Sequence, residues 1–382
     1  MHTRQVTDGS LILGLVIVTA LAFDFTNGFH DTANAVATSI ATGALKPRTA
    51  VLIAGILNLV GAFLSVQVAK TISSGLVDDA KITPTVIFAG LVGAIVWNLL
   101  TWLVGLPSSS SHALIGGLIG ATVVAAGADA VKFAGLIGKV LLPAVLSPII
   151  AGVIALIATY LAYRITARAA QGTVTKGFRL GQVVSGSMVA LAHGTNDAQK
   201  TMGIITLTLI TAGALPANAG PPFWVILSSG LAIALGTYAG GWRIIHTLGV
   251  RVSAIQTQQG FAAGTSTATV ILTSSHLGFP LSTTQVATGS IFGAGAGRGA
   301  GTVHWGIARH VVLAWLLTLP AAAAVGAVAA WTADTGPVGT IIVALVLVAV
   351  AGGIYAASRR RRVTADNVND LPGQSPQIDI VA

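Results

Sequence analysis

Three aspartates stand inside long apolar stretches of the sequence. Asp24 and Asp31 lie in "FDFTNGFHDTANAVATSIATGAL", which begins at Phe23, and Asp197 lies in "ALAHGTNDAQKTMGII". A charged side chain at the centre of a bilayer costs several kcal/mol, so such a residue is expected to face a cavity, a partner or an ion. The three aspartates are therefore the first candidates for a functional site.

Amide and imidazole side chains accompany these aspartates. Glycine stands three residues before both Asp31 and Asp197, which predicts broken helices whose freed carbonyls join Asp and Asn oxygens around a hard cation such as sodium. His30 or His193 could instead carry a proton, because histidine titrates near neutral pH. The candidate cation-coupling residues are Asn27, His30, Asp31, Asn34, His193, Asn196 and Asp197.

Each of these residues also has a plainer interpretation, which the sequence leaves open. Asp197 could form an ion pair with Lys200, because a spacing of three residues puts both on one helix face. Either histidine could be a neutral ring bonded to a backbone carbonyl.

Two hydroxyl clusters, "SSSS" and "LSTT", stand beside Pro107 and Pro280. Proline suits the first turn of a helix, and a helix N-terminus with free N–H groups binds anions. Hydrogen phosphate can donate its proton to a carboxylate and sulfate cannot, so phosphate is favoured, although Ser and Thr could simply cap the helices. The candidate phosphate-binding residues are Asp31, Ser109, Ser110, Ser111, Asp197, Ser282, Thr283 and Thr284.

The composition places these residues in a membrane protein. The 382 residues are 54% hydrophobic and 8% charged, against roughly 25% charged in soluble domains. The formal charge of +9 lies in short segments between apolar runs, which indicates membrane topology rather than binding to nucleic acid. The absence of cysteine excludes disulfides and thiolate metal sites. An all-α polytopic fold follows.

Apolar runs of near-spanning length predict about 10–12 transmembrane helices, with broken helices and helical hairpins. The shortest run, near 280–297, could be a re-entrant hairpin buried in protein. If the chain starts outside, the basic segments fall inside and the C-terminus is cytoplasmic. The runs lie near 10–44, 50–69, 84–104, 107–128, 134–162, 181–212, 222–240, 256–276, 280–297, 304–330 and 338–357.

The sequence contains a duplicated unit. "NGFHDTAN" aligns without gaps to "HGTNDAQK", pairing Asp31 with Asp197, and "GLPSSSSHALIGGLIG" aligns to "GFPLSTTQVATGSIFG", pairing Pro107 with Pro280. An odd number of passes between the copies predicts inverted repeats, as in many secondary transporters. The predicted organisation is a first transmembrane repeat at 1–163, a basic cytoplasmic linker at 164–180, a second repeat with a last span at 181–358, and a disordered cytoplasmic tail at 359–382.

At these motifs the sequence resembles the inorganic phosphate transporter (PiT) family, in its bacterial low-affinity branch. The resemblance runs from about Asp24 to the last span. It implies a secondary transporter that takes up phosphate, in some members as a neutral metal-phosphate complex, by proton or sodium symport. It also implies that the Ser and Thr helix ends hold phosphate together with the aspartates.

The resemblance also bears on the coupling ion. His30 stands where sodium-coupled members usually carry asparagine, and His193 stands at the place of Asn27 in the other repeat, so proton coupling is preferred over sodium. Gln285 replaces a common histidine, so His112 lacks its symmetry mate.

The predicted protein is a plasma-membrane phosphate symporter and not an enzyme. No resident cofactor is predicted; H⁺ or Na⁺ would be cotransported, with or without a divalent metal bound to phosphate. The alternatives are a sulfate or other oxyanion permease on the same scaffold, a channel, and an intramembrane metal enzyme built on His30, Asp31, His193 and Asp197. The sequence leaves the oligomeric state open, a homodimer included.

Overall fold

The computed structural model describes residues 2–252, 255–360 and 362–370, and it confirms an all-α architecture. Among these residues the one isolated β-bridge joins Val77 to Val131. The π-helical turn Leu136–Leu141 joins α6 and α7 into one rod. The α-helices are α1 His2–Ala41, α2 Pro47–Gly61, α3 Gln67–Gly75, α4 Pro84–Val104, α5 Ser110–Ala126, α6 Phe133–Gly135, α7 Leu142–Thr166, α8 Gln171–Thr211, α9 Phe223–Ala239, α10 Trp242–His246, α11 Thr257–His276, α12 Thr283–Arg298, α13 Trp305–Ala333 and α14 Pro337–Ser358.

Every predicted apolar run contains a helix, but fewer helices than predicted are long and apolar enough to cross a membrane by themselves. Among the described residues five single helices are, and the pair α9 and α10, which is bent by 60°, could form a sixth span. The other runs form helices that are short, such as α2 and α5, or rich in polar residues, such as α8. The five single candidates in the described part of the chain are Ser10–Ala41, Pro84–Val104, Phe133–Thr166, Trp305–Ala333 and Pro337–Ser358.

The predicted helix breaks at the two aspartate motifs are wrong. Both α1 and α8 run unbroken through them. The glycines serve close helix packing instead, because a Cβ on Gly28 would meet the carbonyl oxygen of Ile233 in α9, and one on Gly194 would meet the carbonyl oxygen of Asn58 in α2. Small residues at such crossings let membrane helices approach closely.

The element order of the first half recurs in the second half. Each half has a long helix (α1, α8), a helix that packs on the other half's long helix (α2 on α8, α9 on α1), a short helix (α3, α10) and a hairpin (α4–α5, α11–α12). The last helices of the two halves also pack on the opposite half: α13 packs on α5, and α7 packs on α12. These contacts between the halves bring both hairpins to the middle of the fold. The inversion of one copy of the repeat relative to the other stays a prediction.

Residues 164–180, predicted as a basic linker, are mostly helical, and part of the predicted disordered tail packs on the helices. The non-helical connection between α7 and α8 is only residues 167–170. In the tail, Val368 is 1% exposed and its carbonyl oxygen lies 2.9 Å from Nδ1 of His246. Disorder of the tail is therefore wrong for residues 362–370, because Val368 gives them an apolar anchor, and 371–382 lie outside the described residues.

Several basic residues predicted to face the cytoplasm lie at one end of the molecule. Arg179 donates to the carbonyl oxygen of Thr42 at 3.2 Å, and Arg243 donates to the carbonyl oxygen of Ser358 at 2.8 Å. Arg48 lies 3.6 Å from Asp366. The ends of α1 and α14 and the start of α8 thus meet at this end.

Candidate functional site

Helices α5 and α12 begin inside the protein at Ser110 and Thr283, three residues after the prolines that were predicted to lie in their first turns. Ser109 accepts a hydrogen bond from the backbone N–H of His112 at 3.1 Å, and Ser282 accepts one from the N–H of Gln285 at 3.2 Å. Pro107 and Pro280 therefore precede the N-caps instead of occupying the first turn, because serine in extended conformation caps these helices. Ser109 and Ser282 are capping residues, as the plainer interpretation of the sequence allowed.

The next hydroxyl on each hairpin helix points at an aspartate. Ser110 donates to Oδ1 of Asp31 at 3.2 Å. The hydroxyl of Thr283 lies 3.3 Å from Oδ2 of Asp31 and 2.9 Å from Oδ2 of Asp197. The predicted meeting of helix ends and aspartates is thus present, with Thr283 between the two carboxylates.

Asp31 of the first half has histidine and hydroxyl partners. Nδ1 of His30 lies 2.6 Å from Oδ1 of Asp31, and Nε2 lies 3.1 Å from the hydroxyl of Thr101. Ser108 donates to Thr101 at 2.8 Å and completes this chain. His30 is therefore bonded to side chains and not to a backbone carbonyl.

Asp197 of the second half is bound to the ammonium of Lys200. The same ammonium donates to the hydroxyl of Ser111 and, at 2.9 Å, to the carbonyl oxygen of Leu281. Nε2 of His193 lies 3.0 Å from Oδ2 of Asp197. The ion pair of Asp197 with Lys200, which the sequence left open, is formed.

The asparagines of the predicted cation set behave differently from one another. Asn34 donates to the hydroxyl of Thr284 at 3.1 Å, and Asn196 donates to that of Ser275 at 2.9 Å. The amide of Asn27 is buried with no hydrogen bond to any described residue. The structure thus brings Asn34 to the hairpin, and Asn27 stays without a partner for its amide.

Several residues of the site carry no clear signal in the sequence. The Oδ1 atom of Asn58 accepts a hydrogen bond from Nδ1 of His193 at 3.1 Å, and the amide N–H group of Asn58 donates to the hydroxyl of Thr237 at 2.6 Å. Thr101 lies in an apolar helix and has no motif around it. Ser108 could have been found, because it opens the "SSSS" cluster.

His112 and Gln285 occupy equivalent positions in the two copies of the repeat, and they face each other across the site, with Nε2 of Gln285 3.4 Å from Nδ1 of His112. His112 therefore contacts Gln285, the residue that stands in place of the second histidine.

The whole site is closed to solvent. Asp31, Asp197 and Thr283 are at most 2% exposed. Asp24, one helical turn before the first motif, is also fully buried, with Thr201 as its neighbouring hydroxyl. An ionised carboxylate that is not paired with a charge is strongly disfavoured in such a place.

One group of side chains could hold a metal ion. Asp31, His193 and Asp197 each offer one ligand atom, and these atoms lie within 4.8 Å of one another. His30 is not part of this group, so the metal-enzyme alternative loses one of its four predicted ligands.

Comparison with known proteins shows the family of the chain. The phosphate transporter family matches residues 27–326. The chain is 54% identical over 361 residues to a probable low-affinity inorganic phosphate transporter of Mycobacterium bovis, covering 94% of this chain and 87% of that protein. It is 45% identical over 325 residues to a protein of the same description from Rhizobium meliloti, covering 85% and 97%.

A solved structure is also similar. The sodium-dependent phosphate transporter matches 85% of this chain and 99% of its own with a TM-score of 0.77 and 26% sequence identity. Because these relatives are transporters, the metal-enzyme alternative is set aside and a multi-pass membrane protein is confirmed. The chain belongs to the phosphate transporter family.

Proposed function

We propose that this chain is a secondary active transporter that imports inorganic phosphate across the plasma membrane in symport with protons. The observation that carries the proposal is the position of Thr283, whose hydroxyl lies 3.3 Å from Asp31 and 2.9 Å from Asp197 at the start of a buried helix. One carboxylate from each half thus meets a helix N-terminus at a single point.

This arrangement suits hydrogen phosphate. The N-termini of α5 and α12 offer backbone N–H groups and the positive ends of two helix dipoles to an anion. The hydroxyls of Ser110 and Thr283 now donate to aspartates, and they can turn to phosphate oxygens when it enters. A carboxylate can accept the proton that hydrogen phosphate carries, and the fully ionised sulfate would be repelled there.

Proton coupling follows from the charges around Asp31. Asp197 is bound to the ammonium of Lys200, whereas Asp31 has a histidine, His30, at 2.6 Å as its nearest described group able to carry positive charge, with His193 within 4.8 Å. A proton on this pair removes the net negative charge that would repel phosphate, so anion and proton entry favour each other. Asp24 offers a second buried acceptor for a proton.

Phosphate with a divalent metal is a second candidate cargo. It is favoured by the ligand atoms of Asp31, His193 and Asp197, which lie within 4.8 Å of one another beside the hydroxyls. If the metal-phosphate complex is the cargo, phosphate uptake requires a divalent cation and stops when a chelator is added.

The closed site fits one stage of an alternating-access cycle, in which one half rocks against the other around the substrate. With the C-terminus in the cytoplasm, the end formed by Arg48, Arg179 and Arg243 is the cytoplasmic end. Opening toward that end would release phosphate inside.

The proposal is tested by uptake of radiolabelled phosphate into proteoliposomes of the purified protein, under an inward proton gradient or an inward sodium gradient, with excess sulfate as competitor. Accumulation above equilibrium that needs the proton gradient and ignores sulfate is expected. Accumulation driven only by sodium would overturn the coupling, strong inhibition by sulfate would overturn the substrate, and equilibration without accumulation would indicate a channel.

A further inference from the structure

We propose that the ammonium of Lys200 occupies a built-in site for a monovalent cation, so that the protein carries a covalently attached cation where a free sodium ion could otherwise bind. The inference rests on the proposed function, because it concerns the coupling ion of that transport. Its geometric basis is the set of atoms around the Nζ atom of Lys200.

The atoms that surround the ammonium are all oxygens. They are a carboxylate oxygen of Asp197, the hydroxyl of Ser111 and the carbonyl oxygen of Leu281. Carboxylate, hydroxyl and carbonyl oxygens are also the ligands that hard cations take in proteins, and sodium sites in transporters use backbone carbonyls at helix ends. Leu281 lies in the non-helical segment just before α12, and its carbonyl oxygen also accepts a hydrogen bond from the hydroxyl of Ser111 at 3.1 Å.

The corresponding residue of the other half shows that a lysine is not needed for the hydrogen bond. The duplicated motif places Asn34 where Lys200 stands. Asn34 donates to Thr284 of the opposite hairpin at 3.1 Å, and Lys200 donates to Ser111 of the opposite hairpin. A neutral amide therefore completes this contact in the first half, and the positive charge is the additional feature of the second half.

Burying the ammonium of Lys200 costs desolvation free energy, which calls for an explanation. Lys200 is 1% exposed and Asp197 is fully buried. A buried ion pair commonly stabilises a fold no more than apolar residues of the same volume would. The pair at Asp197 is thus better explained by the requirement for one positive charge at this place than by stability of the fold.

The inference is tested with two variants that remove the same charge. Lys200→Ala opens space for a small cation, and Lys200→Met removes the charge but keeps most of the volume. Lys176→Ala is the matched control, because Lys176 lies on the same helix α8 and is exposed. Each protein is purified in sodium or in choline, and its thermal unfolding is measured as sodium is titrated, followed by phosphate uptake under the same conditions.

We expect wild type and Lys176→Ala to unfold at the same temperature in sodium and choline. Lys200→Ala should show a saturable rise in unfolding temperature with sodium and should recover several-fold more uptake in sodium than in choline. Lys200→Met should respond to neither ion. If Lys200→Ala aggregates in choline but is recovered in sodium, the same cation dependence is shown.

Three results would overturn the inference. They are a sodium-dependent rise in the unfolding temperature of wild type, the absence of a sodium effect on Lys200→Ala in both unfolding and recovery, and an equal sodium effect on Lys200→Met. Because the unfolding measurement needs no transport, a failure of wild type to accumulate phosphate under a proton gradient would count against the proposed function alone.

Discussion

The two halves of the molecule present the same motif to one site, but they neutralise its aspartate differently. In the first half Asp31 is bonded to His30 and to hydroxyls. In the second half Asp197 is bound to Lys200, and Asn196 stands at the place of His30. One aspartate is therefore bonded to an imidazole ring and the other to an ammonium group.

This difference assigns different tasks to equivalent positions. A duplicated scaffold alone would give two equal half-sites, each able to accept a cation. Here one half-site holds the ammonium of Lys200 beside its aspartate, and the other holds the imidazole of His30. The asymmetry between Asp31 and Asp197 is what the following predictions test.

The largest effect is expected for Asp197→Asn. This change should abolish phosphate accumulation, and it should lower the free energy of unfolding by about 3–5 kcal/mol, because it leaves a buried ammonium without its counter-ion. Uptake into proteoliposomes and unfolding in detergent measure the two effects. The double variant Asp197→Asn with Lys200→Met should regain stability without regaining uptake, and normal uptake by the single variant would remove Asp197 from the site.

Asp31→Asn should also abolish accumulation but should cost less stability. The partners it leaves are hydroxyls and a histidine that can be neutral, so the expected loss is about 1–3 kcal/mol. The same two measurements apply. A loss equal to that of Asp197→Asn would show that the halves are energetically equivalent.

Removal of the hydroxyls that face the aspartates should weaken phosphate binding. A hydrogen bond to a charged group is worth about 1.5–3 kcal/mol, so the double variant Ser110→Ala with Thr283→Ala should bind phosphate at least about tenfold more weakly. Thr283→Ala alone should have the larger share, because Thr283 reaches both aspartates. Titration of phosphate against purified protein measures the affinity.

The control for this pair is Thr288→Ala on the same helix, whose hydroxyl bonds to the carbonyl oxygen of Thr284 at 2.6 Å. It should bind phosphate as wild type does. Unchanged affinity in the double variant would contradict the helix-end site.

His30→Asn gives the first half the residue that the second half has at that place. Under the proposed function this change removes the imidazole that takes the coupling proton, so the pH dependence of uptake between about pH 5 and 8 should flatten. Uptake rates at saturating phosphate across this range provide the measurement. A pH profile identical to that of wild type would place the coupling proton elsewhere, with Asp24 as the next residue to change.

The sequence alone pointed to several of the residues that the structure brings together. Buried aspartates, hydroxyl clusters and the duplication lead to Asp31, Asp197, Ser110 and Thr283 without a structure. The helix breaks were predicted wrongly, because glycine has two uses in membrane helices and the sequence does not show which neighbour approaches Gly28. The sequence allowed capping by Ser and Thr but did not show that Ser109 and Ser282 are the capping residues, because the position of the first helical residue within "SSSS" and "LSTT" depends on geometry.

Partners from distant helices were out of reach for a different reason. Thr101 and Asn58 lie in ordinary apolar helices, and only the packing of α4 and α2 shows that they touch the histidines. The order of residues 362–370 depends similarly on the contact of Val368 with distant helices. Such contacts are properties of the assembled fold and have no local signal.

The smallest effect is expected at an ion pair of the same chemistry on the surface. Lys81 lies 2.6 Å from Asp129, with side chains 41% and 76% exposed. Lys81 lowers the pKa of Asp129, and the hydrogen bond to Asp129 raises the pKa of Lys81. The contribution of Asp129 to stability is thus present above its pKa in the unfolded chain and is lost as the pH falls through its lower pKa in the folded protein. The contribution of Lys81 is lost only as the pH rises through its raised pKa in the folded protein.

Between these limits, from about pH 4 to about pH 10, the contribution is constant, and water and salt screen it. Lys81→Ala should therefore leave phosphate uptake unchanged and should shift the unfolding temperature by no more than the error of the measurement, in contrast to Asp197→Asn. Unfolding of both variants at neutral pH in low and high salt provides the comparison. A loss from Lys81→Ala as large as that from breaking the buried pair would show that burial does not set the difference between the two lysine–aspartate pairs.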